Sequence, residues 1–409
     1  NFDSGRVTFT QTAALEGTDI AVPQASWSSN GDVHTAVIAY QADGDYTFDV
    51  SMTDMAGNPS GAVNYGASAA ANAFTIDQNI EKPKLLGVEN GHSYKDDVIP
   101  EISFSDTNYE NCEVQLLRTS REEQNVDVTK EFIQTLNSSS KGGGGSNDTF
   151  ARVPENDGIY TLTVKQTDKA GNEASETTEF TVNRFGSVYD YNEYLSGLQD
   201  AYVQNVDKDI VITEYNPDPL VKDSQKVEIS CDGSPLENIK YTVTPTADDS
   251  LNAEENDWYQ YEYTLAAENF AKDGIYRVRI ASEDTVGNQP ETTNYDDGDI
   301  VFRVDTTAPE ISSITGLENA IVNADSLSVN YEVFDAIGLK KISVYADDKE
   351  IQSCDNFEDL VSYKGNIRLA SGANQKIRLV IEDLAGNITD TDAESFAPAY
   401  KFQNTVTVS

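Results

Sequence analysis

Residues 157–172 begin with Asp157-Gly158-Ile159-Tyr160 and end with Asp168-Lys169-Ala170-Gly171-Asn172. Between the two motifs, apolar and polar residues alternate from Tyr160 to Lys165, and this period of two predicts an antiparallel strand with one buried face. The first motif resembles a tyrosine corner, in which the phenol bonds to a backbone group upstream. The second motif predicts a turn, because Gly and Asn accept a positive φ and Asp can cap nearby amides.

The same pair of motifs recurs along the chain. The further copies are Asp43-Gly44-Asp45-Tyr46 with Asp54 and Ala56-Gly57-Asn58, then Asp273-Gly274-Ile275-Tyr276 with Asp284, Gly287 and Asn288, then Asp383-Leu384-Ala385-Gly386-Asn387, with Gln375 in the place of the tyrosine. The motif glycines lie roughly 100–115 residues apart, which suits one β-sandwich per repeat. A further strand closes each unit, starting at Phe74, Phe180, Phe302 and near Phe402. The motif side chains are expected to be structural, and they are Tyr46, Asp54, Tyr160, Asp168, Tyr276, Asp284 and Asp383.

The turn motif, together with the junction Val304-Asp305-Thr306-Thr307-Ala308-Pro309-Glu310-Ile311, resembles the bacterial immunoglobulin-like repeats of large secreted and cell-wall proteins of Gram-positive gut bacteria. The resemblance covers essentially the whole chain. It implies an all-β fold of tandem immunoglobulin-like β-sandwiches in an elongated rod, located outside the cell, at the bacterial surface or secreted. The predicted domains, called the first to fourth repeats below, are residues 1–78, 79–184, 185–306 and 307–409.

The first repeat begins late in this pattern. Residues 1–9 align with residues 108–116, whereas the second repeat extends back from that point to Pro83. We therefore expect an incomplete first sandwich that lacks one or two strands, within a segment cut from a longer protein whose secretion signal and wall anchor lie outside it. The glycine-rich tract at residues 138–146 has the composition of an engineered linker. We favour a native hairpin tip, because the motifs around the tract stay in step with the other repeats.

The composition excludes several classes of protein. The 409 residues include 70 acidic and 28 basic ones, a net charge of −42, which makes nucleic acid and anionic membranes poor partners. No apolar run is long enough to insert into a bilayer. His34 and His92 are the only histidines, which argues against a histidine-rich metal centre and a histidine-based triad. No feature marks a carboxylate pair as a glycosidase site. We therefore expect no enzyme, no catalytic residue and, at Cys112, Cys231 and Cys354, free thiols.

No cofactor is required by the sequence, and calcium is the one candidate. Asp296, Asp297 and Asp299 cluster before a strand that ends at Asp305. Residues 248–257 form a second acidic stretch. Calcium binds several oxygen ligands, and junctions between sandwich domains can supply them. The alternative is a solvated acidic surface that keeps the protein soluble, and the absence of an Asp-x-Asp-x-Asp-Gly loop favours it.

Residues 189–206 break the strand pattern. Tyr191, Leu195, Leu198 and Tyr202 have the spacing of one face of a helix, with Asn192 or Asp190 as its cap. This helix either packs over the junction between the second and third repeats or offers a tyrosine-rich face to a protein partner.

Aromatic side chains are the candidate ligand contacts, because they stack on sugars and anchor protein interfaces. The candidates are Tyr191, Tyr194, Tyr202, Trp258, Tyr259 and Tyr261. The last three follow one another in a predicted strand, so the alternative is that they belong to the core.

Two functions remain open. The first is a non-enzymatic, adhesin-like surface protein that captures a host protein, such as immunoglobulin, or a host glycan. The second is a passive stalk or accessory region of a large secreted glycosidase or wall-anchored protein.

Overall fold

The computed structural model of the chain describes residues 2–13, 23–60, 73–132, 136–139, 142–146, 151–245, 257–292, 300–319, 321–358, 360–400 and 403–409. The chain divides into two compact units, Asn1–Val182 and Asn183–Ser409.

The first unit is built from strands and short helical turns. Up to residue 76 these are the 3-10 turn Ser4–Arg6 and strands β1 (Val7–Ala13), β2 (Ser26–Asn30), β3 (Val33–Val37), β4 (Gly44–Thr53), β5 (Pro59–Ser60) and β6 (Ala73–Ile76). From residue 84 they are β7 (Lys84–Leu86), β8 (His92–Tyr94), β9 (Glu101–Ser105), β10 (Tyr109–Thr119), β11 (Val126–Asp127), α1 (Thr129–Phe132), β12 (Leu136–Ser139), β13 (Gly142–Ser146), the 3-10 turn Pro154–Asn156, β14 (Gly158–Asp168) and β15 (Glu173–Val182).

Residues 84–182 form two sheets around one core. One sheet has the order β11-β10-β14-β15-β8 and the other the order β12-β13-β9-β7. Leu162 and Phe180 of the first sheet share a buried cluster with Ile102 and Phe104 of the second. Two sheets that bury their inner faces against each other are a β-sandwich.

The strands before residue 77 repeat part of this plan. β1, β4 and β5 form a sheet in that order, β6 pairs with β4, and β2 and β3 form a hairpin. Among the described residues up to Ile76, no strand takes the place that β8 has beside β15. The incomplete first sandwich stays a prediction, because residues 14–22 and 61–72 lie outside the described residues.

The second unit contains two further sets of strands. The first set is β16 (Val188–Tyr191), α2 (Glu193–Leu198), β17 (Tyr202–Val203), β18 (Ile210–Asn216), β19 (Lys226–Cys231), β20 (Ser234–Pro235), β21 (Tyr241–Thr244), β22 (Tyr259–Leu265), the 3-10 turn Ala267–Phe270, β23 (Gly274–Ala281) and β24 (Ile300–Val304). The second set is β25 (Glu310–Thr315), β26 (Ile321–Val322), β27 (Ser326–Phe334), β28 (Leu339–Ala346), β29 (Lys349–Cys354), β30 (Ser362–Ala370), β31 (Gly372–Asp383), β32 (Ile388–Asp390) and β33 (Thr405–Val408).

Both sets fold with the topology of residues 84–182. The larger sheets have the orders β17-β24-β23-β19-β20 and β26-β33-β31-β28-β29, and the smaller ones β16-β18-β22-β21 and β25-β27-β30. A short strand pairs in parallel with the closing strand in each case, β17 with β24 and β26 with β33. Each set has its own buried apolar cluster. The predicted fold class, all-β with immunoglobulin-like sandwiches in tandem, is confirmed, whereas the domain boundaries stay predictions.

The tyrosines of the Asp-Gly-x-Tyr motif have the geometry of tyrosine corners. Each hydroxyl donates to the carbonyl oxygen four residues upstream, from Tyr46 to Ala42 at 2.8 Å, from Tyr160 to Asn156 at 2.8 Å and from Tyr276 to Lys272 at 2.9 Å. Each ring also stacks on the phenylalanine of the closing strand, with ring centroids 5.3, 5.5 and 5.6 Å apart. In the fourth repeat, Gln375 Nε2 donates to the carbonyl oxygen of Ala370 at 3.0 Å, so an amide makes the backbone contact in place of the phenol.

The short helix predicted near residues 189–206 is present, but it does not extend to Tyr191 and Tyr202, which were expected on its face. Only Glu193–Leu198 is helical, with Asn192 as the cap that accepts from Leu195 N at 2.8 Å. Leu195 and Leu198 are buried as expected. Tyr191 and Tyr202 instead lie in β16 and β17, where sheet pairing with β18 and β24 satisfies the backbone that a longer helix would have used.

The glycine-rich tract forms part of a sheet. β12 and β13 pair in antiparallel fashion, with Ser139 opposite Gly142. The native hairpin tip stays a prediction, because residues 140–141 lie outside the described residues. β13 continues as the neighbour of β9, with Gly144 opposite Ser103. A Cβ atom on Gly144 would lie 2.6 Å from the carbonyl oxygen of Ile102, so this close approach of two backbones requires glycine.

The three cysteines are free and half-buried. Burial raises the pKa of Cys112 to about 11, which keeps that thiol protonated and unreactive at neutral pH. None of the described helices has the length and apolar character needed to cross a membrane.

Candidate metal centre

The Asp-x-x-Gly-Asn turn folds identically in its four copies. The aspartate Oδ1 accepts the backbone N–H of the asparagine at 2.8–2.9 Å, in the pairs Asp54–Asn58, Asp168–Asn172, Asp284–Asn288 and Asp383–Asn387. The asparagine Nδ2 donates to the other oxygen of the same carboxylate at 2.7–2.9 Å. The glycine in between has a positive φ in every copy, from 82° to 91°. The turn therefore holds the asparagine amide in one fixed orientation.

That amide also binds the chain segment that enters its repeat. Asn172 Nδ2 donates to the carbonyl oxygen of Asp77 at 2.9 Å, and Asn387 Nδ2 donates to that of Asp305 at 2.8 Å. Asn288 Nδ2 donates to the carbonyl oxygen of Asn183 at 3.0 Å. The acceptor is in each case the first residue after a closing strand, so the turn fastens the start of the linker to the repeat that follows.

The aspartate of the Asp-Gly-x-Tyr motif binds the same linker from the repeat that precedes it. Asp273 accepts Thr306 N at 2.8 Å, Thr306 Oγ1 at 2.7 Å and Thr307 Oγ1 at 2.7 Å. Asp43 accepts the side-chain amides of Gln78, at 2.8 Å, and Asn79. We call the two motif side chains together the linker clamp, made of Asp273 and Asn387 for one linker and Asp43 and Asn172 for another.

Three carboxylates converge beside the clamped linker in the second unit. Asp305 follows β24, Asp335 follows β27, and Asp383 ends β31. One carboxylate oxygen of each lies within 4.8 Å of the others. The exposed fractions of the three residues are 2%, 3% and 0%. This set is called the Asp305 centre below.

The hydrogen bonds between described residues leave one oxygen of the Asp305 centre without a donor. Asp335 Oδ1 accepts the backbone N–H groups of Ile337 and Gly338 at 2.8 and 2.7 Å. Asp305 Oδ1 accepts Thr307 N at 3.0 Å, whereas Asp305 Oδ2 is buried and accepts no hydrogen bond from any described group. Burial, and then the negative charges of Asp335, Asp383 and Asp273, raise the pKa of Asp305 to about 6.

The donor set of this centre fits a hard divalent cation. Calcium binds carboxylate oxygens and tolerates flexible geometry, whereas a buried charge without a partner is costly. Burial raises the pKa of Asp383 as well, so two of the three carboxyls are destabilised in their charged form. A cation held by Asp305, Asp335 and Asp383 would balance these charges and occupy the unpaired Asp305 Oδ2.

A second group of three carboxylates occurs at the corresponding place in the first unit, with Asp77, Asp106 and Asp168. Asp77 and Asp106 are half-exposed, and Asp77 Oδ2 accepts Asn108 Nδ2 at 2.5 Å. Water and the Asn108 amide reduce the cost of these charges, so this group has less need of a cation than the Asp305 centre.

The sequence identified only part of these sites. Asp305 was a calcium candidate, but its partners there were Asp296, Asp297 and Asp299, which lie outside the described residues, as do 248–256. Asp383 and Asp168 were assigned structural roles alone. Asp77, Asp106 and Asp335 were missed; each directly follows a strand, and that shared position is the signal that finds them.

The aromatic candidates do not form one surface. Trp258 and Tyr261 are 7% and 3% exposed, and Tyr261 Oη accepts Leu220 N at 3.1 Å inside the third-repeat core. Tyr259 is half-buried and packs against the same core. These side chains present little area to a ligand.

The tyrosines around α2 are exposed to the same intermediate degree as Tyr259. Tyr191, Tyr194 and Tyr202 are half-exposed. Tyr194 Oη donates to Asp207 Oδ1 at 2.9 Å, and the Arg303 guanidinium lies 4.8 Å from the ring centroid of Tyr202. Both rings are therefore already engaged within the third repeat.

A buried carboxylate of a different kind lies inside the third repeat. Glu214 in β18 has no exposed surface. Four hydroxyls donate to it, from Ser187 at 2.5 Å, Tyr263 at 2.5 Å, Tyr189 at 3.4 Å and Ser282. Burial raises the pKa of Glu214, and the four hydrogen bonds work against that rise. The arrangement ties β18, β22 and the segment after β23 together.

Comparison with known protein families agrees with the immunoglobulin-like sandwiches described above. Residues 133–184 match the family model of a bacterial Ig-like domain. No curated protein matches the chain. The origin in a Gram-positive gut bacterium stays a prediction.

Three solved structures illustrate the similarity. A tetra-tandem repeat from the extending region of a large adhesion protein aligns over 91% of this chain and 91% of its own, with 14% identity and a TM-score of 0.29. The Clostridium thermocellum CbhA fibronectin(III)-like modules align over 54% and 93%, with 14% identity and a TM-score of 0.23. The Bacteroides ovatus mixed-linkage glucan utilization locus protein SGBP-B, in complex with a mixed-linkage heptasaccharide, aligns over 80% and 71%, with 15% identity and a TM-score of 0.17. Because none of these TM-scores reaches 0.5, none supports a statement about what this chain binds.

Proposed function

We propose that the chain is a non-catalytic spacer of an extracellular bacterial surface protein, in which calcium at the Asp305 centre fastens the fourth repeat to the linker that precedes it. The observation that carries this proposal is the linker clamp with three buried carboxylates beside it. Asp273 and Asn387 bind residues 305–307, and among the described residues no group donates to Asp305 Oδ2.

The role of a spacer depends on well-defined connections between its successive repeats rather than on a ligand-binding pocket. Each hydrogen bond of the clamp fixes a linker atom, and carboxylate acceptors make such bonds stronger than neutral ones. Neutralising the Asp305 centre with a cation removes the repulsion that works against the clamp. Cation binding to the folded chain therefore raises its stability by mass action.

The test is a calcium titration of the whole chain by calorimetry, together with melting in EDTA and in excess calcium. We expect calcium to bind and to raise the melting temperature of one transition. Asp335→Asn should abolish the part of that shift due to the Asp305 centre, while Asp325→Asn, an exposed aspartate of the same repeat, should keep it. Identical melting profiles in EDTA and calcium, with no heat of binding, would refute the proposal.

A second candidate function is capture of a host protein, such as immunoglobulin, or of a host glycan. One observation favours it, a groove of about 430 Å³ in the third repeat lined by β19, β23 and residues 235–239. Arg277, Arg279 and Glu228 line this groove, and Arg279 forms an ion pair with Glu291. A concave site with apolar walls and a few charged groups is the usual form of a binding site.

The capture function predicts a specific loss. The immobilised chain should enrich one component of serum or mucosal secretion, and Arg277→Glu should abolish that enrichment. Lys364→Glu makes the same charge change on an exposed strand of the fourth repeat and should leave it intact. Equal enrichment by both variants would remove the groove from consideration.

A further inference from the structure

The third repeat contains a group of buried polar side chains at the place that the Asp305 centre has in the fourth repeat. Asn183 directly follows β15 as Asp305 directly follows β24. Asn288 Nδ2 binds the backbone oxygen of Asn183 at 3.0 Å, as Asn387 Nδ2 binds that of Asp305 at 2.8 Å. Asp305, at the start of the segment that enters the fourth repeat, therefore carries a carboxylate. Asn183, at the same position before the third repeat, carries an uncharged amide.

The amide nitrogen of Asn183 is surrounded by oxygen atoms. Nδ2 lies 2.8 Å from Asp218 Oδ2, 3.0 Å from Asp284 Oδ2 and 3.1 Å from Asn216 Oδ1. Asp218 and Asp284 are 5% and 1% exposed, and Asn183 and Asn216 have no exposed surface. Two buried carboxylates thus point at one N–H₂ group.

The oxygen atom of the same amide also has hydrogen-bond partners. Asn183 Oδ1 accepts Gly186 N at 3.0 Å and Asn288 Nδ2 at 3.0 Å. These bonds fix the orientation of the amide, because a rotated group would place its nitrogen against two donors. The N–H₂ group is held towards the carboxylates of Asp218 and Asp284.

The two centres differ in what neutralises their carboxylates. At the Asp305 centre, one carboxylate oxygen of each aspartate lies within 4.8 Å of the others, and Asp305 Oδ2 accepts no hydrogen bond from the part of the chain that the structure describes. At the Asn183 centre, asparagines occupy two of the three positions: Asn183 that of Asp305, and Asn216, whose Oδ1 accepts the backbone N–H two residues further on, that of Asp335. The carboxylates there are Asp218 and Asp284, and the Asn183 amide donates to both. Charge-assisted hydrogen bonds of this kind are among the stronger ones in proteins.

We propose that the side-chain amide of Asn183 takes the place of the cation, so that the third repeat holds its entering segment without metal while the fourth repeat requires calcium. This inference rests on the proposed calcium site at the Asp305 centre. The chain then combines a permanent attachment at Asn183 with an attachment at Asp305 that responds to the calcium concentration outside the cell.

The test exchanges the two side chains. Asn183→Asp should bind one more calcium ion per chain than the wild type, and Asp305→Asn one fewer, in a calorimetric titration. In EDTA, Asn183→Asp should lower the melting temperature of the third repeat, reported in a Trp27→Phe background by the fluorescence of the buried Trp258, and calcium should restore it. Asp305→Asn should melt no lower in EDTA than the wild type. Asn205→Asp adds the same charge at an exposed site of the third repeat and should change neither quantity.

The outcomes separate the inference from the proposal on which it rests. A wild type that binds no calcium overturns both. A wild type that binds calcium, with no additional ion in Asn183→Asp, overturns the inference alone. Failure of Asn183→Asp to fold even in excess calcium also overturns it, because a cation in the place of the amide should rescue the fold.

Discussion

Replacement of Asn288 by alanine should loosen the third repeat at the point where its entering segment is fastened. Asn288 is 6% exposed. Its Nδ2 donates to Asp284 Oδ2 at 2.9 Å, and to the backbone oxygen and Oδ1 of Asn183 at 3.0 Å each. Alanine removes all of these bonds and leaves a buried carboxylate and two amide oxygens with fewer donors.

The magnitude follows from the kinds of bond lost. A hydrogen bond to a charged group contributes about 1.5–3 kcal/mol and a neutral one about 0.5–1.5 kcal/mol. The amide has two hydrogens, so one bond of each kind is a fair count. We therefore expect Asn288→Ala to lower the free energy of unfolding of the third repeat by about 2–4 kcal/mol.

The measurement needs a probe for one repeat, because a chain of several domains does not unfold in one step. Trp27 and Trp258 are the only tryptophans. In a Trp27→Phe background, urea unfolding followed by tryptophan fluorescence reports Trp258, which is 7% exposed in the third repeat. Asn205→Ala, an exposed asparagine of that repeat, serves as the control and should change stability by no more than about 0.5 kcal/mol.

A loss below about 1 kcal/mol for Asn288→Ala, similar to that of the control, would refute the reasoning, because a single neutral hydrogen bond contributes that much. It would mean that the entering segment is held by other contacts and that the clamp geometry has little energetic weight.

Three further predictions concern the sandwich cores. Tyr276→Phe keeps the stacking on Phe302 but removes the hydroxyl that donates to the Lys272 carbonyl oxygen and accepts the Lys272 N–H. It should cost about 1–2 kcal/mol in urea unfolding, and no change would show that the corner is held by packing alone. The pKa of Glu214 is raised in the folded state. The free energy of unfolding therefore falls as the pH rises from the unfolded-state pKa of this carboxyl through its folded-state pKa. Below the unfolded-state pKa the carboxyl is protonated in both states and has no such effect. Glu214→Gln should therefore flatten the fall in stability above about pH 4.5, and parallel pH profiles of variant and wild type would contradict this. In Gly365→Ala, the new Cβ would lie 2.0 Å from Tyr331 Cζ, so overpacking should cost the fourth repeat about 1–3 kcal/mol by calorimetry; an unchanged melting temperature would contradict the close approach.

The strands were predictable from the sequence because the alternation of apolar and polar residues that indicates a strand lies within the strand itself. Apolar residues at every second position in β14 face the buried cluster, as the alternation from Tyr160 onward indicated. The tyrosine corners were predictable for the same reason, since phenol and acceptor lie four residues apart. The extent of the helix was not predictable, because Tyr191 and Tyr202 pair with β18 and β24, which lie further along the chain.

The Asp305 centre could be predicted only in part because its members come from three separate strand ends. Asp305, Asp335 and Asp383 are single residues with no common local pattern, and they meet only once the sandwich topology is known. The Asn183 centre was missed for a related reason: an asparagine after a strand carries no sign of what surrounds it. The role of Asn183 is inferred only when it is compared with Asp305 in the folded chain.

Each linker clamp also bears on how such a chain can evolve. One repeat contributes the aspartate, such as Asp273, that holds the segment leaving it, and the next contributes the asparagine, such as Asn387, that holds the segment arriving. The parts recognised are mainly backbone atoms and small polar side chains of the linker, including the Thr307 hydroxyl and the Asp305 carbonyl. A gene segment that encodes one repeat can therefore be duplicated or deleted in frame without any change to its neighbours. The chain can gain or lose whole repeats, and each new copy carries both side chains of the clamp with it.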